Sequence, residues 1–167
     1  PLGARSEGIS NLDPSALFPF GHGLSYSSVV YESMTISGRN LPVDGEVELR
    51  VMVRNTGKRP VRETVQLYLS DVQAQVARPV VELVGFAGVD LSVGQAREVR
   101  FSVHADRTSF TGVRGQRVVE PGLVRFSVGP SSADLPQQVE VEVVGELRTI
   151  TGRRVMNTPV AIVEVAG

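Results

Sequence analysis

Cysteine and tryptophan are absent from the 167 residues, and lysine occurs once, as Lys58. Without Cys there is no disulfide, no thiolate nucleophile and no Cys-ligated zinc. That absence leaves the compartment open, because a cysteine-free chain folds on either side of a membrane. Aromatic residues make up 5%, too few to favour the ring platforms on which carbohydrate-binding modules rely. No run of about 18 apolar residues is present, which excludes a membrane-spanning helix. A charged start followed by an apolar stretch is also missing, so no secretory signal is visible. Neither sign of charge dominates: 17 basic against 18 acidic residues leave a net charge of −1. Nucleic acid and anionic membrane are therefore poor partners, since both need a clustered basic excess. The basic residues are nearly all Arg, a bias read here as genome composition. Because the first residue is Pro1 rather than Met, we expect a fragment or a processed product.

What the chain does have is valine, 30 residues of it, punctuated by 17 Gly and 10 Pro. Valine is stiff at its first side-chain torsion and packs well on a pleated surface. The stretch Glu46–Arg54 alternates cleanly. Val47, Leu49, Val51 and Val53 fall on one face, with Glu48, Arg50 and Arg54 on the other and Met52 as an exception. Similar patterns run over Val29–Ser37, Thr64–Ser70, Val80–Phe86, Glu98–Val103, Leu123–Val128 and Val139–Val143. In the third of these, Val65, Leu67 and Leu69 take one side and Gln66 and Tyr68 the other. Turn signals separate them at Asp44-Gly45, Asn55-Thr56-Gly57, Ser92-Val93-Gly94 and Glu120-Pro121-Gly122. About seven short strands, each with one apolar face to hide, require two stacked sheets. No long amphipathic helix follows any strand, so a parallel α/β architecture is not expected. The expected fold is an all-β, immunoglobulin-like or fibronectin type III-like β-sandwich.

Three regions follow. Residues 1–27 are irregular, yet they carry Leu17, Phe18, Phe20, Leu24 and Tyr26. Residues 28–144 form the sandwich. Residues 145–167 exceed it: Pro159 separates a basic stretch (Arg148, Arg153, Arg154) from an apolar one (Val160, Ile162, Val163, Val165), and the extension is read as an added edge strand, with a linker as the alternative.

Reactive constellations are scarce. Hydrolysis of a glycosidic bond needs two positioned carboxylates. Here Glu46, Glu48, Glu98, Glu140 and Glu142 alternate with apolar neighbours and read as a solvated sheet face. His22 sits between Gly21 and Gly23 without a partner at ligand spacing, and suits a packing or backbone-bonding role. His104 ends a strand and is expected to be exposed. Ser25 and Ser109 lack a nucleophile-elbow context. Gly21-x-Gly23 has no strand–helix setting for phosphate. Tyr31 and Tyr68 would stack on sugars only if exposed, and are read as sheet surface or core rim. No catalytic, metal or cofactor-binding residue emerges, and no cofactor is expected.

Several strings are more specific. Leu17-Phe18-Pro19-Phe20-Gly21-His22-Gly23-Leu24-Ser25-Tyr26 resembles a segment of family-three glycoside hydrolases, the β-glucosidase and β-xylosidase group. In that family it lies just before a C-terminal fibronectin type III-like domain. Val53-Arg54-Asn55-Thr56-Gly57 and Val65-Gln66-Leu67-Tyr68-Leu69-Ser70-Asp71 resemble its strands and turns in the right order. So do Arg78-Pro79 with Glu82-Leu83-Val84-Gly85-Phe86, then Val119-Glu120-Pro121-Gly122 and Val128-Gly129-Pro130-Ser131-Ser132. The family often has an aromatic where this chain reads Gly115-Gln116-Arg117-Val118, and the tail beyond about residue 145 has no recognised counterpart.

The resemblance implies a multidomain parent with an Asp nucleophile on a TIM-like barrel and an acid/base Glu on a following α/β domain. Neither lies in this chain, so alone it should not hydrolyse glycosides. It implies an accessory domain partnered with the catalytic domains of a β-glucosidase-like parent. Leu17, Phe18, Phe20, His22 and Tyr26 would then pack between domains. A carbohydrate-binding module or a subunit-association module, pairing copies into a homo-oligomer, are the alternatives.

Overall fold

The computed structural model describes residues 17–71 and 81–165. In chain order the strands are β1 (Val29–Ile36), β2 (Asn40–Pro42), β3 (Glu46–Asn55), β4 (Val61–Asp71), β5 (Glu82–Leu91) and β6 (Ala96–His104). A 3-10 turn, Ala105–Thr108, precedes β7 (Phe110–Thr111), β8 (Arg117–Val119), β9 (Gly122–Gly129), β10 (Gln137–Val144), β11 (Arg148–Thr149) and β12 (Val160–Glu164). A four-stranded sheet, β1-β3-β6-β12, stacks on a five-stranded sheet, β2-β10-β9-β4-β5. A small sheet, β11-β8-β7, closes one end. The fold is a β-sandwich.

Alternation dictates the stacking. In β3 the four apolar residues Val47, Leu49, Val51 and Val53 are at most 2% exposed. Antiparallel register sets Leu49 opposite Phe101 and Val51 opposite Val99 on β6. From the other sheet Val65, Leu67, Val89, Phe126, Val128 and Val141 face them, all buried. Burial of each such side chain stabilises the fold by about 1.5–3 kcal/mol. The seven strands legible in the sequence are β1, β3, β4, β5, β6, β9 and β10. Four others, β2, β7, β8 and β11, have two or three residues each, too few for a period of two to register.

Three expectations need correction. The strand expected to end at Phe86 continues to Leu91. Its glycines are close-approach sites rather than stops. A Cβ on Gly85 would lie 3.1 Å from Phe101 and Thr158, and one on Gly88 3.0 Å from the Arg62 guanidinium. Val80, Arg78, Pro79 and the loop before them lie outside the described residues. His104 is not a free strand end: its Nδ1 accepts from the Asp106 amide at 3.1 Å and caps the 3-10 turn. Tyr31 and Tyr68, read as sheet surface or core rim, are 6% and 1% exposed and belong to the interior, so the exposure that sugar stacking would need is missing.

Beyond β10 the chain crosses the open side of the sandwich. Arg148 donates to the Val43 carbonyl at 2.7 Å and to the Asp106 carboxylate. The Val155 amide also donates to Asp106, at 2.7 Å. Arg107 donates to the carbonyls of Met156 (2.9 Å) and Leu83 (3.2 Å), and the Thr158 hydroxyl to that of Val84 (2.6 Å). The segment then pairs with β6 as β12, the edge strand that makes this sheet four-stranded.

Candidate functional site

Residues 17–28, just before β1, form a strap. Pro19-Phe20-Gly21-His22 is a β-turn, closed by the His22 amide on the Pro19 carbonyl at 3.0 Å. Gly21 occupies its third position with φ +78, as a type II turn requires, and among the described residues only glycines have positive φ. The turn is bolted to the outer face of the five-stranded sheet through its backbone. The Ser132 amide donates to the Phe20 carbonyl at 2.9 Å. The Gln66 side-chain amide donates to the carbonyls of Gly21 (3.2 Å) and Pro130. The Tyr68 hydroxyl is 2.6 Å from Gln66 Oε1 and 3.5 Å from the Phe20 carbonyl. A Cβ on Gly21 would lie 2.0 Å from Gln66 Oε1. Glycine is therefore required twice here, by dihedral and by space.

A second tether holds the other end. The amides of Thr56 and Gly57 donate to the Ser28 carbonyl at 2.9 and 3.2 Å. The Ser27 hydroxyl donates to Asn55 Oδ1 at 2.8 Å. Asn55 is fully buried. Its Oδ1 also accepts from the Gly57 amide, and its amide donates to the carbonyls of Arg59 (2.8 Å) and Leu91 (3.2 Å). Along the strap, before the turn and between the two tethers, the large side chains turn away from the sandwich. Leu17, Phe18, Phe20, Leu24 and Tyr26 are 66–91% exposed. Phe18 stacks on His22 with ring centroids 5.3 Å apart, which gives His22 a packing role.

Under the strap, β4 changes character. Its first half alternates, but from Val65 to Leu69 both faces are buried. Gln66 and Tyr68 are covered on the outer side although the alternation had placed them opposite the core. Burial pushes the Tyr68 phenol above its ordinary range. Ser127 of β9 is also buried on this face, opposite Tyr68.

Residues 63–132 match the family described as the fibronectin type III-like domain. The chain is 36% identical over 128 residues to a putative beta-xylosidase of Formosa agariphila. The aligned part is 77% of this chain and 17% of that protein. A periplasmic beta-glucosidase of Salmonella typhimurium is 36% identical over 121 residues, 72% of this chain and 16% of the relative. This chain is a fibronectin type III-like domain of the β-glucosidase and β-xylosidase group. The solved beta-glucosidase of Listeria innocua in complex with glucose superposes on the domain with a TM-score of 0.74 at 33% identity. That match takes in 86% of the domain and 20% of the solved chain. The domain thus spans about 17% of the length of the curated relatives it matches.

Elsewhere in this fibronectin type III-like domain the buried carboxyl groups of Glu63 and Asp106 have hydrogen-bond partners. Glu63 is 6% exposed and accepts from the Tyr31 hydroxyl at 2.9 Å. Burial raises its carboxyl, which the Tyr31 hydrogen bond only partly opposes. Burial, reinforced by Glu63 and Asp134, pushes the Tyr31 phenol far above its ordinary range. Burial also acts to raise Asp106, but the Arg148 guanidinium, the Val155 amide and His104 outweigh it and hold the carboxyl below its ordinary value. Among the described residues no three His, Asp or Glu side chains converge as a metal would need. The surface carboxylates of Glu48, Glu98 and Glu140 pair with Arg50, Arg100 and Arg125. The strap aromatics were visible in the sequence, but the groups that fix them, Gln66, Tyr68 and Asn55, were not. The one available signal was a polar-aromatic face on β4 beside a Gly-flanked turn.

Proposed function

We propose that this domain is the non-catalytic accessory module of a β-glucosidase-type glycoside hydrolase, and that its strap braces it against the catalytic domains. One observation carries the reading: five large apolar side chains stand on a backbone-locked segment and turn away from their own core. Exposed apolar clusters of this kind mark interaction surfaces. Glu48, Glu98 and Glu140 are engaged in ion pairs and the buried Glu63 and Asp106 in hydrogen bonds, which argues against glycoside hydrolysis by these side chains. The small share of each relative that aligns leaves room for catalytic domains elsewhere in the parent. By this reading the module holds distant carboxylates at working separation, where small displacements matter.

The test is the double substitution Phe18→Ser with Phe20→Ser in the full-length parent. Burying one aromatic is worth roughly 2–3 kcal/mol, so the pair removes about 5 kcal/mol of interdomain stabilisation. The expected result is earlier loss of glucosidase activity on heating. A parent with unchanged melting and unchanged activity would refute the reading.

A further inference from the structure

The two outer faces of the sandwich are chemically different. On the four-stranded sheet the outward faces of β1, β3 and β6 carry three ion pairs, Glu32 with Arg54 (2.5 Å), Glu48 with Arg50 (2.7 Å) and Glu98 with Arg100 (2.6 Å), with Val30, 45% exposed, opposite Arg54. The paired side chains keep 21–45% of their accessible surface, and burying them under a partner would cost desolvation. On the five-stranded sheet, Phe86 of β5 points outward and is 65% exposed. Its register partner on β4 is Gln66, the residue whose amide holds the strap at Gly21. Adjacent strands lie about 4.8 Å apart, so Phe86 stands beside the strap lock. A shallow groove of about 340 Å³ adjoins Phe86 between Leu83, Arg107, Met156 and Thr158. Ion pairs bound the patch on both sides, Arg125 with Glu140 across β9 and β10 and Arg62 with Asp90 across β4 and β5.

We infer that the docking face of this domain is the β4–β5 corner of the five-stranded sheet, with Phe86 as a second anchor beside the strap, and that the four-stranded sheet faces solvent. This rests on the accessory-module reading and extends it from the strap to a defined face. The occupant is the catalytic portion of the same polypeptide, for two reasons. The relatives carry more than four-fifths of their length outside the aligned region. The Phe86 patch is also continuous with the strap that leads into this domain.

The absence of cysteine from this chain allows a site-specific test. Single substitutions Phe86→Cys, Phe20→Cys and Arg50→Cys are made in the full-length parent. Maleimide labelling at each site is followed by peptide mass mapping, with each rate referenced to the same variant in denaturant. Labelling at positions 86 and 20 should be about tenfold or more slower than at position 50. If position 20 is protected while position 86 reacts as fast as position 50, the Phe86 inference falls and the strap reading survives. If position 50 is the protected one, the assignment of faces is overturned. If positions 20 and 86 both label freely, both readings fail. Phe86→Ser supplies an independent measurement: thermal inactivation of the parent should accelerate about thirtyfold or more, in keeping with the loss of one buried aromatic. An unchanged rate counts against Phe86 as an anchor.

Discussion

Replacing Asn55 by Ala removes four hydrogen bonds at the junction of the strap with the sandwich. The Leu91 carbonyl loses its side-chain partner in a buried setting. The Arg59 carbonyl, the Gly57 amide and the Ser27 hydroxyl lose theirs where water has partial access. A buried polar group left unpaired costs about 1–3 kcal/mol, so the total is about 3 kcal/mol once solvent rescue of the outer three is counted. For a domain of this size 1 kcal/mol moves the melting temperature by roughly 2–4 °C, which predicts a fall of about 6–12 °C by calorimetry. Asn55→Asp is the sharper probe. It keeps the acceptor for Ser27 and Gly57 but sets a second carboxylate oxygen against the carbonyls of Arg59 and Leu91. Burial and those carbonyls disfavour the ionised form, so the folded-state pKa of the new Asp lies above its unfolded value of about 3.9. The extra penalty is therefore absent below about pH 4, grows as the pH rises through the unfolded value, and levels off above the folded one. At pH 7 the Asp variant should be less stable than the Ala variant, and on acidification the order should reverse. A loss below about 1 kcal/mol for the Ala variant, or an Asp variant as stable as the wild type at pH 7, refutes the reasoning.

Three further outcomes are expected. Glu63 has a raised pKa, so its ionisation opposes folding as the pH rises through and above the unfolded value. Glu63→Gln should match or exceed the wild-type melting temperature at pH 7, the difference closing by about pH 4. Asp106 has a lowered pKa, so its contribution is present above the ordinary carboxylate range and is lost as the pH falls. Asp106→Asn should destabilise the domain by about 2 kcal/mol at pH 7, by less near pH 3, and should speed amide exchange at Val155. Gly21→Ala costs about 1–2 kcal/mol for the left-handed backbone alone. It should raise exchange at the Ser132 amide, which bonds the Phe20 carbonyl, and leave core amides such as Val51 unchanged.

The sandwich was legible because its central strands obey one rule. In β3 each apolar residue except Met52 faces the other sheet and each charged one faces water, so period and burial coincide. The rule failed where a third layer covers a sheet. Gln66 and Tyr68 stand on the outward face of β4, and only the docked strap makes that face interior. No window of local sequence contains both partners, which are 45 and 48 residues apart. Glu63 and Asp106 were missed for the same reason, since each is buried by a partner distant in sequence, Tyr31 for one and Arg148 for the other. The strap residues could be named from their composition and their resemblance to known segments. Their outward direction could not, because it follows from the turn at Gly21.

That direction bears on how the strap would act. Ordering a backbone costs about 1–2 kcal/mol per residue, and a loose linker would meet that cost on docking. Here the turn at Pro19–His22 and the tether at Ser27–Ser28 order the strap before any partner arrives. Only five residues, 22–26, lie between the Gly21 and Ser27 tethers. Side-chain freedom is then the main entropy still to be lost, about 0.5–1.5 kcal/mol for each group immobilised. Burial of an aromatic returns more than that. A pre-ordered strap therefore keeps most of its apolar energy for the interface, and its stiffness passes to whatever it holds. Loosening it at Gly21 should accordingly weaken docking even with every aromatic left in place.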